Sequence, residues 1–380
     1  MMQGNNYFFT IFLNLFIISC IFDPFGNILH IKDGLFIILF IIFLIFYKNI
    51  KIELNLFIYA FKFISIALIS IIIYSLTNNS EPYEGLMLLR TYLLFILVVP
   101  IVYLKINLLK ILIRWINALC ILIFILLFVN FFSVDLFNKI AEISAIQGNM
   151  LLGIREFGGI SFLQLYYVTS PLICINIAYY SDQIFSNKYI YSKNYIYLLI
   201  FNCLALFFAG TRSNILIAIF LPFSIYLYYS KNANLRLIAL LLLLAILVFF
   251  SIETNFFSAA EESNSIKINL LHEYVKIFND IPTILFGQGL GAYYYWETKN
   301  KFDFVTELTY LEIFRYYGIF FGALVINYMI VPIKKKYRHY NDSGLLIGYI
   351  FFLSICALNP LFFSSIGMLF YIALIANIFI

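Results

Sequence analysis

The turn at residues 210–214 suits the binding of an anion. It reads Gly210-Thr211-Arg212-Ser213-Asn214 and lies between two apolar runs. Thr, Ser and Asn are common helix N-cap residues, and a helix N-terminus offers unpaired N–H groups and a partial positive charge. Arg212 adds a full charge, so the turn predicts a phosphate or diphosphate site. The same residues also suit an ordinary capped turn whose arginine contacts lipid headgroups.

Three cations, Lys62, Arg90 and Arg315, lie in or at the edge of apolar runs. A charge at the centre of a bilayer costs about 2.5–3.5 kcal/mol even on the lenient insertion scale, so such residues usually face a water-filled cavity or a partner. Arg90 and Arg315 are close enough to a predicted boundary to extend to the headgroups instead. For Lys62, a structural pairing with a neighbouring helix is an equal alternative.

Residues 271–278 are apolar on one face and charged on the other, which is typical of a helix at a membrane surface. They include His272, the single histidine of the long connection 253–306. Histidine is the side chain that titrates nearest neutral pH, although a lone histidine is more often structural than catalytic. His272 is therefore a candidate for proton transfer with a structural alternative.

Glycines follow at every second position, at Gly287, Gly289 and Gly291. No predicted strand precedes them and no Lys-Ser/Thr pair follows, so they form neither a dinucleotide fingerprint nor a P-loop. They predict either a flexible turn or a close approach of the backbone to a ligand.

The composition requires membrane helices to position these residues. Of 380 residues, 64% are hydrophobic and 11% are charged, whereas a soluble domain has about 25% charged residues. The net charge of +5 includes one basic run, Lys334–Lys336, with Arg338 close by. No basic stripe supports a nucleic-acid partner.

The apolar runs predict an all-α, polytopic protein with about twelve transmembrane helices in a single membrane domain, 1–380. A helix needs about 20 mostly apolar residues to cross the bilayer, where each backbone polar group must be hydrogen-bonded. The predicted spans are 7–22, 34–47, 54–76, 86–104, 111–134, 160–181, 195–210, 214–229, 236–252, 307–332, 343–358 and 361–380.

The distribution of Lys and Arg predicts the orientation. Basic residues concentrate in alternate short connections, including 105–114 and 334–338, and such connections are usually cytoplasmic. Both termini are then cytoplasmic, and the long segments 135–159 and 253–306 lie outside. Long connections are often lids or binding segments, so the chemistry is expected to face outward.

Four runs, taken in order, resemble the O-antigen polymerase and O-antigen ligase superfamily of bacterial envelopes. Those proteins combine a small-Arg-Ser/Gly turn, a large periplasmic loop with a glycine-rich "LFGxGxG" segment, a helix opening as "HNxYLxxLxxxGxxG" and a last hairpin. The corresponding runs here are 210–216, 286–291, 307–322 and 358–367. The similarity covers roughly residues 195–380.

The resemblance implies a GT-C-like inner-membrane protein with a large periplasmic loop, 253–306. It would polymerise oligosaccharide repeat units carried on undecaprenyl diphosphate into O-antigen, capsule or exopolysaccharide. Its partners would be this lipid-linked glycan, membrane lipids and a chain-length regulator. The lipid diphosphate activates the sugar, so neither a cofactor nor a metal is expected.

Such a reaction needs cations for the leaving diphosphate and a base for the acceptor hydroxyl. The implied catalytic residues are Arg212, Glu307, His272 and Glu273. The implied diphosphate- or glycan-binding residues are Arg90, Arg155, Lys276, Gly287, Gly289, Gly291 and Arg315. The ligase pattern has histidine where this sequence has Glu307, and the polymerase pattern has arginine where it has Lys276.

Two alternatives remain open. An O-antigen ligase would transfer the finished glycan to the lipid A core. A polysaccharide flippase or other transporter also suits twelve helices with cations in the membrane, although transporters usually show repeated halves, and none is evident here.

Overall fold

A computed structural model shows a mainly helical protein. The structure describes residues 2–27, 31–46, 54–78, 83–157, 160–186, 193–253, 262–296, 300–339 and 343–379. Within these ranges, helices are joined by short connections and accompanied by two antiparallel hairpins.

The helices, in chain order, are α1 (Met2–Phe22), α2 (Lys32–Phe46), α3 (Leu54–Asn78), α4 (Tyr83–Leu93), α5 (Val98–Tyr103), α6 (Leu108–Phe132), α7 (Val134–Gln147), α8 (Ile173–Phe185), α9 (Lys193–Phe208), α10 (Arg212–Tyr229), α11 (Ala233–Glu253), α12 (Glu262–Ile277), α13 (Ile281–Phe286), α14 (Thr309–His339), α15 (Ser343–Cys356) and α16 (Ser365–Phe379). A 3₁₀ turn at Leu94–Leu97 joins α4 to α5, and another at Ser170–Leu172 leads into α8. The hairpins are β1 (Met150–Phe157) with β2 (Ile160–Tyr167), and β3 (Tyr294–Trp296) with β4 (Lys301–Asp303).

Apolar helices confirm the prediction of a helical membrane protein. Within the described residues, five helical segments are long and apolar enough to cross a bilayer, and further apolar helices are shorter. The long segments are Asn55–Leu76, Tyr83–Tyr103, Leu108–Phe132, Arg212–Tyr229 and Thr309–Lys334. The number twelve and the outward position of 253–306 stay predictions.

The predicted helical span 160–181 is wrong in its first half. Residues 160–167 form β2, which pairs with β1, and α8 begins only at Ile173. An apolar run of this length does not distinguish strand from helix, and Pro171 favours a helix start just after it. The segment 135–159, predicted as a loop, instead contains α7 and β1. An all-α description therefore needs the two hairpins added.

Two helices form the centre of the bundle. In α16, Ile366–Ala376 are all buried, and its neighbours include α5, α6 and α14. In α8, Ile173–Ala178 are all buried, and α9, α10 and α15 pack around it. A helix that is apolar on every side is stable only when other helices surround it or lipid does.

A kink in α14 creates the attachment point for the glycine segment. The helix is interrupted at Gly318, where φ is 62°, a left-handed conformation that glycine adopts without a steric penalty. Near this kink, the carbonyls of Arg315 and Tyr316 accept hydrogen bonds from the N–H groups of Gln288 (2.7 Å) and Gly289 (3.1 Å). The segment following α13 is thereby fixed against α14.

The glycines at 287, 289 and 291 are packing positions. A Cβ on Gly289 would lie 2.4 Å from the Cβ of Tyr74, and a Cβ on Gly291 would lie 2.3 Å from the backbone nitrogen of Gly85. A Cβ on Gly287 would similarly meet the backbone of α14. All three glycines are buried. Their close contacts are with α3, α4 and α14, so this packing does not support the predicted flexible turn. A contact of these glycines with a ligand stays a prediction.

Candidate active site

The turn before α10 forms the capped helix start that the sequence predicts. The side chain of Thr211 accepts a hydrogen bond from the N–H of Asn214 at 3.3 Å. Gly210 has a φ of 70°, and a Cβ there would lie 3.0 Å from the Cα of Gln164 in β2. The β1–β2 hairpin therefore lies directly against the turn, and Arg155 of β1 interacts electrostatically with Arg212.

Helix α12 contributes a third cation. Arg212 Nη1 donates to Asn264 Oδ1 at 3.0 Å, which places the first turn of α12 beside the start of α10. Lys267 follows one turn after Asn264 on the same side of the helix. Its charge interacts with those of Arg212 and Arg155. Three separate elements thus bring together Arg155, Arg212 and Lys267, which we call the cation cluster.

A carboxylate stands beside the cation cluster. Glu307 lies just before α14 and is exposed, and its charge acts on Lys267 and on Tyr166 of β2. The cluster and Glu307 together carry a formal excess of two positive charges. A dianionic or trianionic group, such as a diphosphate, complements this arrangement.

Burial shifts the pKa values of two side chains at the site, Lys267 and Tyr166. The pKa of Lys267 is lowered, first by burial and then by repulsion from Arg212 and Arg155, while Glu307 opposes the shift. The pKa of Tyr166 is raised to about 12 by burial and by the negative charge of Glu307. Tyr166 therefore remains a neutral hydrogen-bond donor at neutral pH, and an anion beside Lys267 would favour its charged form.

Arg315 forms a buried ion pair with Glu312, and we call this pair the clamp. Arg315 is fully buried, and its Nε and Nη2 donate to the two carboxylate oxygens of Glu312 at 2.8 and 2.7 Å. The three remaining N–H groups donate to Gln288 Oε1 (3.3 Å), the Ala292 carbonyl (2.7 Å) and the Phe304 carbonyl (2.9 Å). A guanidinium has five N–H donors, so the predicted contact with substrate has no donor left to make it.

Hydrogen bonds of Tyr274 connect the clamp to the two segments that carry Lys267 and Glu307. This buried tyrosine of α12 donates to Glu312 Oε2, and its oxygen lies 2.6 Å from the hydroxyl of Thr306. Thr306 immediately precedes Glu307, and Tyr274 is on the helix that carries Lys267. Glu312 and Arg315 thereby fix the two segments that present Glu307 and Lys267.

Other predicted site residues lie elsewhere. Arg90 forms an ion pair with Asp33 at 2.9 Å, near the start of α2. His272 is exposed, and Glu273 is paired with Lys276 at 3.5 Å. At helical spacing, these three residues of α12 project from sides other than the one that carries Asn264 and Lys267. Of the predicted residues, the structure brings together Arg155, Arg212 and Glu307.

Sequence reasoning missed Lys267, Asn264 and Glu312. Glu312 stands three residues before Arg315, a spacing that places both side chains on one face of a helix, so this pair was open to prediction. Lys267 carries no comparable signal, because α12 and α10 meet only in the folded chain. Among the residues that the structure describes, no group of three His, Cys, Asp or Glu side chains is placed to hold a metal ion.

Comparison with known proteins found a similarity to a curated protein named O-antigen polymerase from Shigella flexneri. The two are 25% identical over 256 residues, which cover 62% of this chain and 63% of that protein. The chain thus matches somewhat less than two thirds of the relative's length. No protein-family model matches the chain, and no solved structure matches it significantly. The similarity confirms the resemblance to O-antigen polymerases that the sequence motifs indicate.

Proposed function

We propose that this membrane protein is a glycosyltransferase that polymerises oligosaccharide repeat units carried on a lipid diphosphate. The observation that carries the proposal is the cation cluster beside an exposed carboxylate, in a chain similar to an O-antigen polymerase. The lipid carrier would be undecaprenyl diphosphate, and the product would be O-antigen, capsule or exopolysaccharide.

The cation cluster would bind the diphosphate of the donor. Arg212 starts a helix whose N-terminal N–H groups and partial charge add to those of the three cations. Arginine binds phosphate oxygens in a bidentate manner, whereas lysine acts as a point charge. As the bond between the donor sugar and the diphosphate breaks, negative charge grows on the leaving oxygen. Cations fixed at that position stabilise the transition state more than the ground state.

Glu307 would act as the general base. It would take the proton from a hydroxyl of the acceptor sugar, whose oxygen forms a bond to the anomeric carbon of the donor. The bond from that carbon to the diphosphate breaks, and the lipid diphosphate departs with the electron pair. The proton then passes from Glu307 to water. Glu307 is exposed, so an acceptor can reach it, and it lies close enough to Lys267 for the two charges to interact.

The proposed setting is the periplasmic face of the inner membrane, with 253–306 on that side and both termini cytoplasmic. This orientation rests on the distribution of Lys and Arg among the connections. A chain-length regulator is a proposed partner. The O-antigen ligase stays an alternative, but the residue that opens its tenth-helix motif is histidine, and Glu307 stands there in this sequence.

Surface glycan from a deletion strain that expresses variants of this chain tests the proposal. Arg212→Ala should abolish the ladder of long chains and leave single repeat units, because one donor-binding cation is missing. Arg236→Ala, at an exposed position of α11, is the matched control and should restore the full ladder. Glu307→Gln should also abolish the ladder, whereas Glu273→Gln should not.

Two outcomes would contradict the proposal. A normal ladder from Arg212→Ala would mean that Arg212 has only a structural role, through its hydrogen bond to Asn264. Complete loss of surface glycan in the deletion strain, without a retained single repeat, would indicate a ligase or a flippase instead of a polymerase.

A further inference from the structure

A cavity lies near the cation cluster but shares no residue with it. It has a volume of about 370 Å³. It is lined by residues of the α1–α2 connection, the start of α2, α4, the segment between β2 and α8, the segment before α14, α15, and the turn before α16 with the start of α16. Most of its wall is apolar, including Leu88, Leu172, Phe352 and Phe363. A cavity with this lining binds hydrocarbon more readily than a sugar.

Two cations lie in the wall of this cavity. Lys32 is buried, and its ammonium donates to the carbonyl of Pro24. Arg90 is half-exposed and is paired with Asp33. Electrostatic interactions join Lys32 to Arg90, Asp33 and the buried Asp23. If an anion replaces Asp33 at Arg90, this apolar cavity with Lys32 and Arg90 at one end complements a molecule with a hydrocarbon chain and a phosphate.

The cavity and the cation cluster are neighbours along the chain. Phe304 and Val305 line the cavity, and Glu307 follows two residues later. On the other side of the cavity, Val168 and Thr169 continue from β2, which carries Tyr166 beside Glu307. Residues 304–307 and residues 166–169 therefore connect the cavity to the surroundings of the cation cluster.

We propose that this cavity holds the part of the acceptor's isoprenoid chain nearest the diphosphate, with the diphosphate itself at Lys32 and Arg90. The inference rests on the proposed function, because joining two lipid-linked glycans requires two lipid sites. The cation cluster binds the donor's diphosphate, and the repeat unit of the acceptor extends from the cavity to Glu307. The acceptor's diphosphate displaces Asp33 from Arg90, since both side chains of that pair are about half-exposed.

Native mass spectrometry of the detergent-purified full chain, with added geranylgeranyl diphosphate, tests this inference. The wild type should bind two molecules. Leu88→Trp places a larger side chain in the cavity and should leave one. Leu86→Trp is the matched control, because Leu86 lies on the same helix, is exposed and does not line the cavity; it should keep two.

Two exposed substitutions test the charge assignment without altering the core. Arg90→Gln should weaken the second binding event about tenfold, and Asp33→Asn should strengthen it, because it removes the carboxylate that competes for Arg90. A purely structural ion pair would make both variants change binding in the same direction.

Any of three results would overturn the inference. The Leu88→Trp protein could still bind two molecules, or Arg90→Gln and Asp33→Asn could change the second binding event in the same direction. In the third, an equal concentration of dioleoylphosphatidylglycerol would displace the molecule whose binding Leu88→Trp abolishes. The last result would assign the cavity to bulk phospholipid. The proposed function fails separately. If cells that express the wild-type chain make no ladder but the Leu88→Trp protein binds only one molecule of geranylgeranyl diphosphate, the lipid site is supported and the polymerase function is not. If these cells make ladders and the Leu88→Trp protein binds two molecules, the polymerase function is supported and the lipid site is not.

Discussion

Replacing Glu312 with Gln removes the charge that balances the buried guanidinium of Arg315. The side chains of Glu312 and Arg315 are 6% and 0% exposed, and their nearest charged atoms are 2.7 Å apart. Breaking a buried pair by removing one partner costs about 3–5 kcal/mol, because the remaining charge stays buried without a counter-charge. We therefore expect Glu312→Gln to lower the free energy of unfolding by about 3–5 kcal/mol.

Unfolding of the purified protein in mixed detergent micelles, followed by tyrosine fluorescence or circular dichroism, measures this loss. Arg90→Gln is the matched control. Its ion pair is of similar length, at 2.9 Å, but the two side chains are 47% and 56% exposed, and exposed pairs contribute about 0–1 kcal/mol. If Glu312→Gln costs no more than Arg90→Gln, the clamp does not hold α12 and the glycine segment on α14.

Three further predictions concern the same site. Lys267→Ala should lower kcat/KM for chain extension about 10–100-fold, because it removes a charged contact worth roughly 1.5–3 kcal/mol. The control Lys276→Ala, on another side of α12, should change kcat/KM little. Lys267→Arg should retain kcat/KM at alkaline pH values where the wild type loses it. The pKa of Lys267 is lowered from 10.5, so Lys267 loses its charge as the pH rises, whereas arginine keeps its charge. Identical pH profiles for the two proteins would refute this prediction. Gly289→Ala should lower the unfolding temperature, since its Cβ would overlap Tyr74, whereas Gly34→Ala meets no atom within 4 Å and should not.

The sequence predicts the five membrane-long helices of the described residues because their signal is local. Length and apolarity suffice to identify Leu108–Phe132 or Thr309–Lys334 as membrane-long helices. The same signal fails at 160–167, where an apolar segment pairs with β1 instead of continuing into α8. The hydrophobicity of a segment indicates that the segment is buried or faces lipid. A short apolar run does not specify whether its backbone forms a helix or a strand.

The candidate site is predicted in part for the same reason. Arg212 is recognisable because its turn carries capping residues beside it, and Glu307 because it opens a recognisable motif. Lys267 lies near Arg212 because the first turn of α12 is hydrogen-bonded to the start of α10 in the folded chain, and no local sequence pattern encodes this contact. Arg315 is the opposite case: an arginine in an apolar span suggests function, whereas in the structure all its donors are taken by Glu312 and by neighbouring backbone and side-chain oxygens.

The rate of chain extension by purified protein, with a synthetic lipid-diphosphate-linked repeat unit as donor and acceptor, tests the role of the cation cluster most directly. Removing one donor that stabilises a leaving anion lowers kcat about 10²–10³-fold, and we expect this loss for Arg212→Ala, with the unfolding temperature unchanged. The control Arg236→Ala should retain the wild-type kcat. An Arg212→Ala protein that is folded and extends chains at the wild-type rate would show that the diphosphate leaves from another place.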